Sequence, residues 1–161
     1  MIRFSGVSFS FGQSSSLSTS DRFNGHDFGS GTTMGFSLDL NRKVNWFGKE
    51  FSPSVGFNYS TLEHSGHDDL ALTSLLVNLS TSLKSLPLSV NLGLGYTHHS
   101  ISNHTGSMIV DLAYKLPINN ADLSLVIRYH NITDINKDYE LDFGRNSAMG
   151  LFVQYGKSIS F

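Results

Sequence analysis

Apolar side chains recur at every second position in eight separate stretches of this chain, and nowhere is the i, i+3, i+4 spacing of an amphipathic helix sustained. That period is the signature of β-strands with two unlike faces. Val7, Phe9 and Phe11 open the series, followed by Met34, Phe36, Leu38 and Leu40, then Val55, Phe57 and Tyr59. Leu75, Val77 and Leu79 come next, then Leu88, Val90, Leu92, Leu94 and Tyr96, then Met108, Val110, Leu112 and Tyr114. Leu123, Leu125, Ile127 and Tyr129 precede a final set of Met149, Leu151, Val153, Tyr155, Ile159 and Phe161. With 161 residues and eight strands of this kind, the chain is expected to form one all-β domain spanning 1–161. No run of 18 apolar residues occurs, so no helix is expected to cross a membrane.

The opposite faces carry small and polar residues: Gly35, Ser37 and Asp39 on one strand, Asn91, Gly93, Gly95 and Thr97 on another, Ser124, Arg128 and His130 on a third. A soluble sandwich or a small-ligand barrel shows the same alternation with its apolar face turned inward. Two features favour the inverted arrangement. Connections alternate between long (13–30, 62–70, 99–106, 131–146) and short (41–48, 84–87, 117–121), as in transmembrane barrels with an even strand number. Tyr59, Tyr96 and Tyr129 each end an apolar face before a long loop, whereas Trp46, Phe47, Phe51, Tyr114 and Phe161 gather near short turns or the C-terminus. Aromatic residues in two such rings mark the two membrane–water interfaces. Charged residues make up only 15% of the chain, against roughly a quarter in soluble domains, and Ser, Asn, Thr and Gly take their place.

The sequence therefore reads as an eight-stranded antiparallel up-and-down transmembrane β-barrel with short periplasmic turns, long extracellular loops and both termini periplasmic. The opening MIRFSGVSFSFG alternates instead of forming a signal peptide, so either the chain is not secreted or, as the preferred expectation, Met1 stands in front of an already mature sequence. A barrel of this size has an interior just wide enough to be filled by its own side chains, so it is not expected to conduct. Asp111 and Arg128 should face inward on neighbouring strands and form an ion pair, with His130 and Gln154 extending the network.

Function is written less clearly. A net charge of −2 offers no basic face for nucleic acid, and the absence of cysteine excludes thiolate metal sites and cysteine nucleophiles. No cofactor is implied. His64 and His67, beside Asp68 and Asp69, are the loop candidates for a metal, although a flexible loop without thiolates makes a weak site and a solvated loop is the preferred reading. His98 and Ser100 share the outward face of a strand at the outer lipid interface, where a base and a nucleophile would meet lipid.

The segment LSLVIRYHNITDIN followed by DFGRNSAMGLFVQY resembles the closing hairpin of the outer-membrane lipid A deacylases, eight-stranded barrels that remove an ester-linked acyl chain from lipopolysaccharide. The resemblance covers about forty residues and implies a barrel of that architecture. With Arg128 on the family arginine, the family's catalytic His falls on Asn131, its Ser on Thr133, and its Glu near Arg145, Asn146 or Ser147. None of the three residue types is retained, and His130 lies on the inward parity. The end of the chain, LFVQYGKSISF, resembles the terminal signal of bacterial outer-membrane barrels, which implies engagement with the barrel-assembly machinery; Lys157 departs from its apolar pattern. The expected function is an integral outer-membrane barrel, monomeric and non-enzymatic, whose loops meet lipopolysaccharide or another surface. The alternative is an esterase acting on outer-leaflet lipid, for which His98, Ser100, His130 and Thr133 are the candidate residues.

Overall fold

The computed structural model describes residues 3–18, 29–63, 68–83, 85–99, 104–135, 141–142 and 147–159. Eight long strands form the wall: β1 (Phe4–Ser18), β2 (Ser30–Leu40), β4 (Lys49–Leu62), β5 (Leu70–Leu83), β6 (Leu88–His99), β7 (His104–Lys115), β8 (Asp122–Ile135) and β10 (Ser147–Ser158). Two short strands, β3 (Val44–Trp46) and β9 (Leu141–Asp142), form side hairpins on β4 and β8. Every wall strand pairs antiparallel with its neighbour, and β10 pairs with both β8 and β1, so the sheet closes on itself. Closure leaves no free wall edge, which a membrane-spanning sheet requires because lipid offers no hydrogen bonds.

The register fixes the shape. A path across paired residues leaves β1 at Gly6, runs through Asp39, Ser54, Asn78, Gly93, Ile109, His130 and Ala148, and returns to β1 at Ser16. That stagger, ten residues from Gly6 to Ser16 over eight strands, corresponds to a strand tilt of about 40°, within the usual range for small barrels.

Polarity is inverted relative to a soluble core. Leu75, Val77, Leu94, Ile127, Leu151 and Val153 are exposed on the outside, while Ser74, Asn78, Thr97, Ser107, Asp111 and Arg128 are buried within. Leu92 and Leu125 also face outward, with Asn91 and Ser124 lining the lumen behind them. A closed cylinder with this pattern meets apolar solvent on its wall, as the alternation predicts. The lumen is less polar than expected, however. Leu62, Leu70 and Leu72 form a buried inward cluster against Ile132 at the long-loop end, and Ile109, Val126 and Phe152 are 0–1% exposed in the middle.

The connections differ from expectation in detail. Only four residues, 100–103, separate β6 from β7, so the third of the long loops is no longer than the 84–87 turn. The 41–48 turn is instead part of a hairpin, in which Val44, Asn45 and Trp46 pair with Phe51, Glu50 and Lys49. β9 pairs with Asp134 and Ile135, placing a second small hairpin beyond the long-loop end of β8.

Candidate functional site

The most elaborate constellation lies inside the barrel. Register places Asp111 on β7 directly opposite Arg128 on β8, both on the inward parity. Arg128 Nε donates to Asp111 Oδ1 at 2.7 Å and Nη2 to Oδ2 at 2.9 Å, the fork geometry in which guanidinium and carboxylate match best. Its remaining arm, Nη1, reaches across the lumen to Asn58 Oδ1 on β4 at 2.6 Å. Asn91 Nδ2 donates to Asp111 Oδ2 at 3.1 Å, and the guanidinium carbon lies 4.9 Å from the centre of the Phe152 ring. The pair is therefore neutral as a unit, and side chains from β4, β6 and β10 hold it in place.

Glycine makes room for it. A Cβ on Gly150 would approach the Phe152 ring to 2.5 Å and the Gln13 carbonyl to 2.6 Å, so the ring can occupy this place only if that position is bare.

The ion pair expected from the sequence is thus present, but the residues expected to extend it do not. His130 Nε2 lies 2.7 Å from Ser107 Oγ, and Gln154 Nε2 donates to Ser8 Oγ at 3.0 Å, which in turn is 2.7 Å from Ser37 Oγ. Ser107 and His130 have the separation of a nucleophile and its base. Both are buried in the lumen just below the leucine cluster, so neither presents its reactive atom to a substrate on the outside.

Below the ion pair, toward the short turns, the lumen opens into a cavity of about 500 Å³. Ser80, Ser89 and Ser124 line it with Asp39, Lys115 and Asp122 at the mouth, where Lys115 and Asp122 pair at 2.9 Å. A cavity walled by hydroxyls and charge holds water. It ends at Arg128 and Ile109.

The remaining sequence candidates are not brought together among the described residues. His98 is exposed on the outward parity of β6, register-paired with Thr73 and His104. Ser100, His64 and His67 lie outside the described residues, as do Arg145, Asn146 and Phe161 and the side chain of Thr133. Asn131 is buried, with Met108 and Ser147 as register partners. No group of three His, Cys, Asp or Glu able to hold a metal ion occurs among the described residues. What the sequence does not signal is the contribution of Asn58 and Phe152: Asn58 lies 70 residues from Arg128 and meets it across the lumen, while Phe152, two residues past Arg128's register partner Gly150, meets it diagonally from the neighbouring strand.

No protein-family profile and no curated protein matches the sequence. Three-dimensional comparison does find relatives of shape. The outer membrane enzyme PagL superposes with a TM-score of 0.57 at 13% identity, covering 96% of this chain and 99% of PagL. Neisserial surface protein A (NspA) gives a TM-score of 0.57 at 14% identity, covering 99% of each chain. The Yersinia pestis outer membrane protein Ail, in a phospholipid bilayer nanodisc, gives 0.53 at 13% identity over 96% of this chain and 100% of Ail. The chain thus has the fold of the small eight-stranded outer-membrane β-barrels.

Proposed function

We propose that this protein is an integral bacterial outer-membrane barrel that neither conducts nor catalyses, and that its long loops contact lipopolysaccharide or another surface molecule. The observation that carries the reading is the closed wall with apolar side chains outside and a paired Asp111–Arg128 charge inside. Non-conduction is supported by Phe152, Ile109 and Val126 filling the middle of the lumen and by the leucine cluster above them. Non-catalysis is supported by the burial of Ser107 and His130 and by Asn131 and Thr133 standing where the resembling hydrolase hairpin carries His and Ser. In this reading the short turns and both termini face the periplasm, the barrel-assembly machinery inserts the chain, and it works as a monomer.

The test is reconstitution followed by a lipid assay. The refolded chain should require detergent or bilayer for a dispersed state, and lipopolysaccharide incubated with it should retain every acyl chain by mass spectrometry. A protein that stays monomeric without detergent overturns the membrane reading. Acyl loss that disappears in Ser100→Ala or Thr133→Ala makes the protein an esterase instead, in keeping with the PagL neighbour being an enzyme.

A further inference from the structure

The hairpin formed by β3 and the start of β4 is more than a connection. Its two faces are unlike. Directly opposed residues share a face, so Val44 and Phe51 lie together with Trp46 and Lys49, while Asn45 and Glu50 lie on the other side. Phe51 and Lys49 have the same parity on β4 as Val55 and Phe57, which are exposed on the outer wall. The hairpin's aromatic face is therefore continuous with the apolar outside of the barrel. Trp46 packs at a tilt against Phe47 and Phe51, with ring centres 5.1 Å and 6.1 Å away, and Trp46 is still 54% exposed.

The turn itself is costly. Phe47 and Gly48 both have positive φ, 48° and 68°, the type I′ geometry that normally selects Asn-Gly or Gly-Gly. A bulky residue in that region is strained, and Phe47 is 87% exposed, so packing within the protein does not repay it. Along the line of β4 the barrel's tilt sets Phe51 about 5 Å and Trp46 about 10 Å beyond the ring of Tyr114 and Tyr155. The headgroup layer of a bilayer is roughly 5–8 Å thick on each side, so Phe51 lies within it and Trp46 at its outer limit.

Charge identifies the lipid. On the face away from these rings, Lys43 is neutralised by Glu50 at 3.5 Å and donates to Ser52 at 2.7 Å. Lys49, on the aromatic face, has no ion-pair partner among the described residues, and Arg42 adds a second cation at the base of the hairpin. From these observations we propose that the Val44–Phe51 hairpin binds anionic phospholipid in the leaflet at the short-turn end, with Trp46, Phe47 and Phe51 wedged between headgroups and Lys49 on the phosphate. The inference rests on the membrane-barrel reading above.

Trp46 is the one tryptophan of the chain, so its fluorescence reports on this hairpin alone. The full chain is refolded into vesicles of mixed zwitterionic and anionic phospholipid, insertion being scored separately by protease resistance. One lipid class at a time carries brominated acyl chains, with iodide on both sides of the membrane as the aqueous quencher. Trp46 should be shielded from iodide, and brominated anionic lipid should quench it as though enriched about fivefold over brominated zwitterionic lipid, the factor for one cation near a charged surface. Lys49→Gln should remove that preference and leave insertion unchanged. An inserted barrel whose Trp46 is quenched by iodide and not by either lipid overturns the hairpin proposal and spares the barrel. Equal quenching by the two lipids, unchanged in Lys49→Gln, overturns the anionic selectivity. A chain that fails to insert overturns this proposal together with the membrane reading.

Discussion

Replacing Asp111 by alanine should be among the most damaging single changes this barrel can suffer. The substitution removes both short hydrogen bonds to Arg128 and the acceptor for Asn91, leaving the guanidinium with only the Asn58 oxygen and the Phe152 ring. Stranding one member of a buried pair costs about 3–5 kcal/mol. Because the water-filled cavity reaches Arg128, part of the charge can be rehydrated, which places the cost near the lower end, about 3 kcal/mol. Arg128→Ala strands the other member of the pair and should also cost about 3–5 kcal/mol. In the double variant no charge is left unpaired, so its cost should fall short of the summed single costs by about 2 kcal/mol. Equilibrium urea unfolding of all four proteins in the same bilayer measures the cycle; with a slope of roughly 2 kcal/mol/M, Asp111→Ala shifts the midpoint by about 1.5 M. Strict additivity, or a double variant less stable than the sum of the singles, would refute the claim that the two charges stabilise each other.

Other consequences are simpler to read. Val77, 63% exposed near mid-wall, tests polarity directly: Val77→Arg should cost about 2–4 kcal/mol in a bilayer, whereas the same change on a soluble surface falls within about 0.5 kcal/mol. Gly150→Ala should destabilise by about 1–3 kcal/mol in the same urea assay, and adding Phe152→Leu should recover only part of it, because the Gln13 carbonyl remains in the way. Phe47→Gly should raise stability in detergent by up to about 1 kcal/mol by relieving the positive φ, with no loss of the folded band on a heat-shift gel.

Alternation makes the wall legible from the amino-acid string, because an apolar outer face and a mainly polar lumen impose a period of two along most of the wall. The Asp111–Arg128 pair is legible for the same reason: both have inward parity at matching distances from one short turn. The leucines at positions 62, 70, 72 and 76 are not. In LALTSLLVNLS leucine occupies both parities, and the outward set Leu75, Val77 and Leu79 masks the inward one. The serine-rich end of β1 has Leu17 as its single apolar residue and no alternation, so residues 13–18 read as the start of a loop, yet the strand continues through Ser18 because its backbone pairs with β2 and β10. The hairpin at 44–51 is hidden because its turn uses Phe-Gly where Asn-Gly would announce one. A catalytic set is not legible, and among the described residues the fold assembles none on the outer wall.

Among the described residues, the lumen cavity lies on the short-turn side of the barrel and reaches inward as far as Arg128. Since the native chain has no cysteine, a single thiol placed at Ser80 or Ser124 would react with a small membrane-impermeant reagent from one side of the bilayer only. The cavity thus doubles as a compass needle, reporting which way the cylinder points in a cell envelope without any tag on the loops.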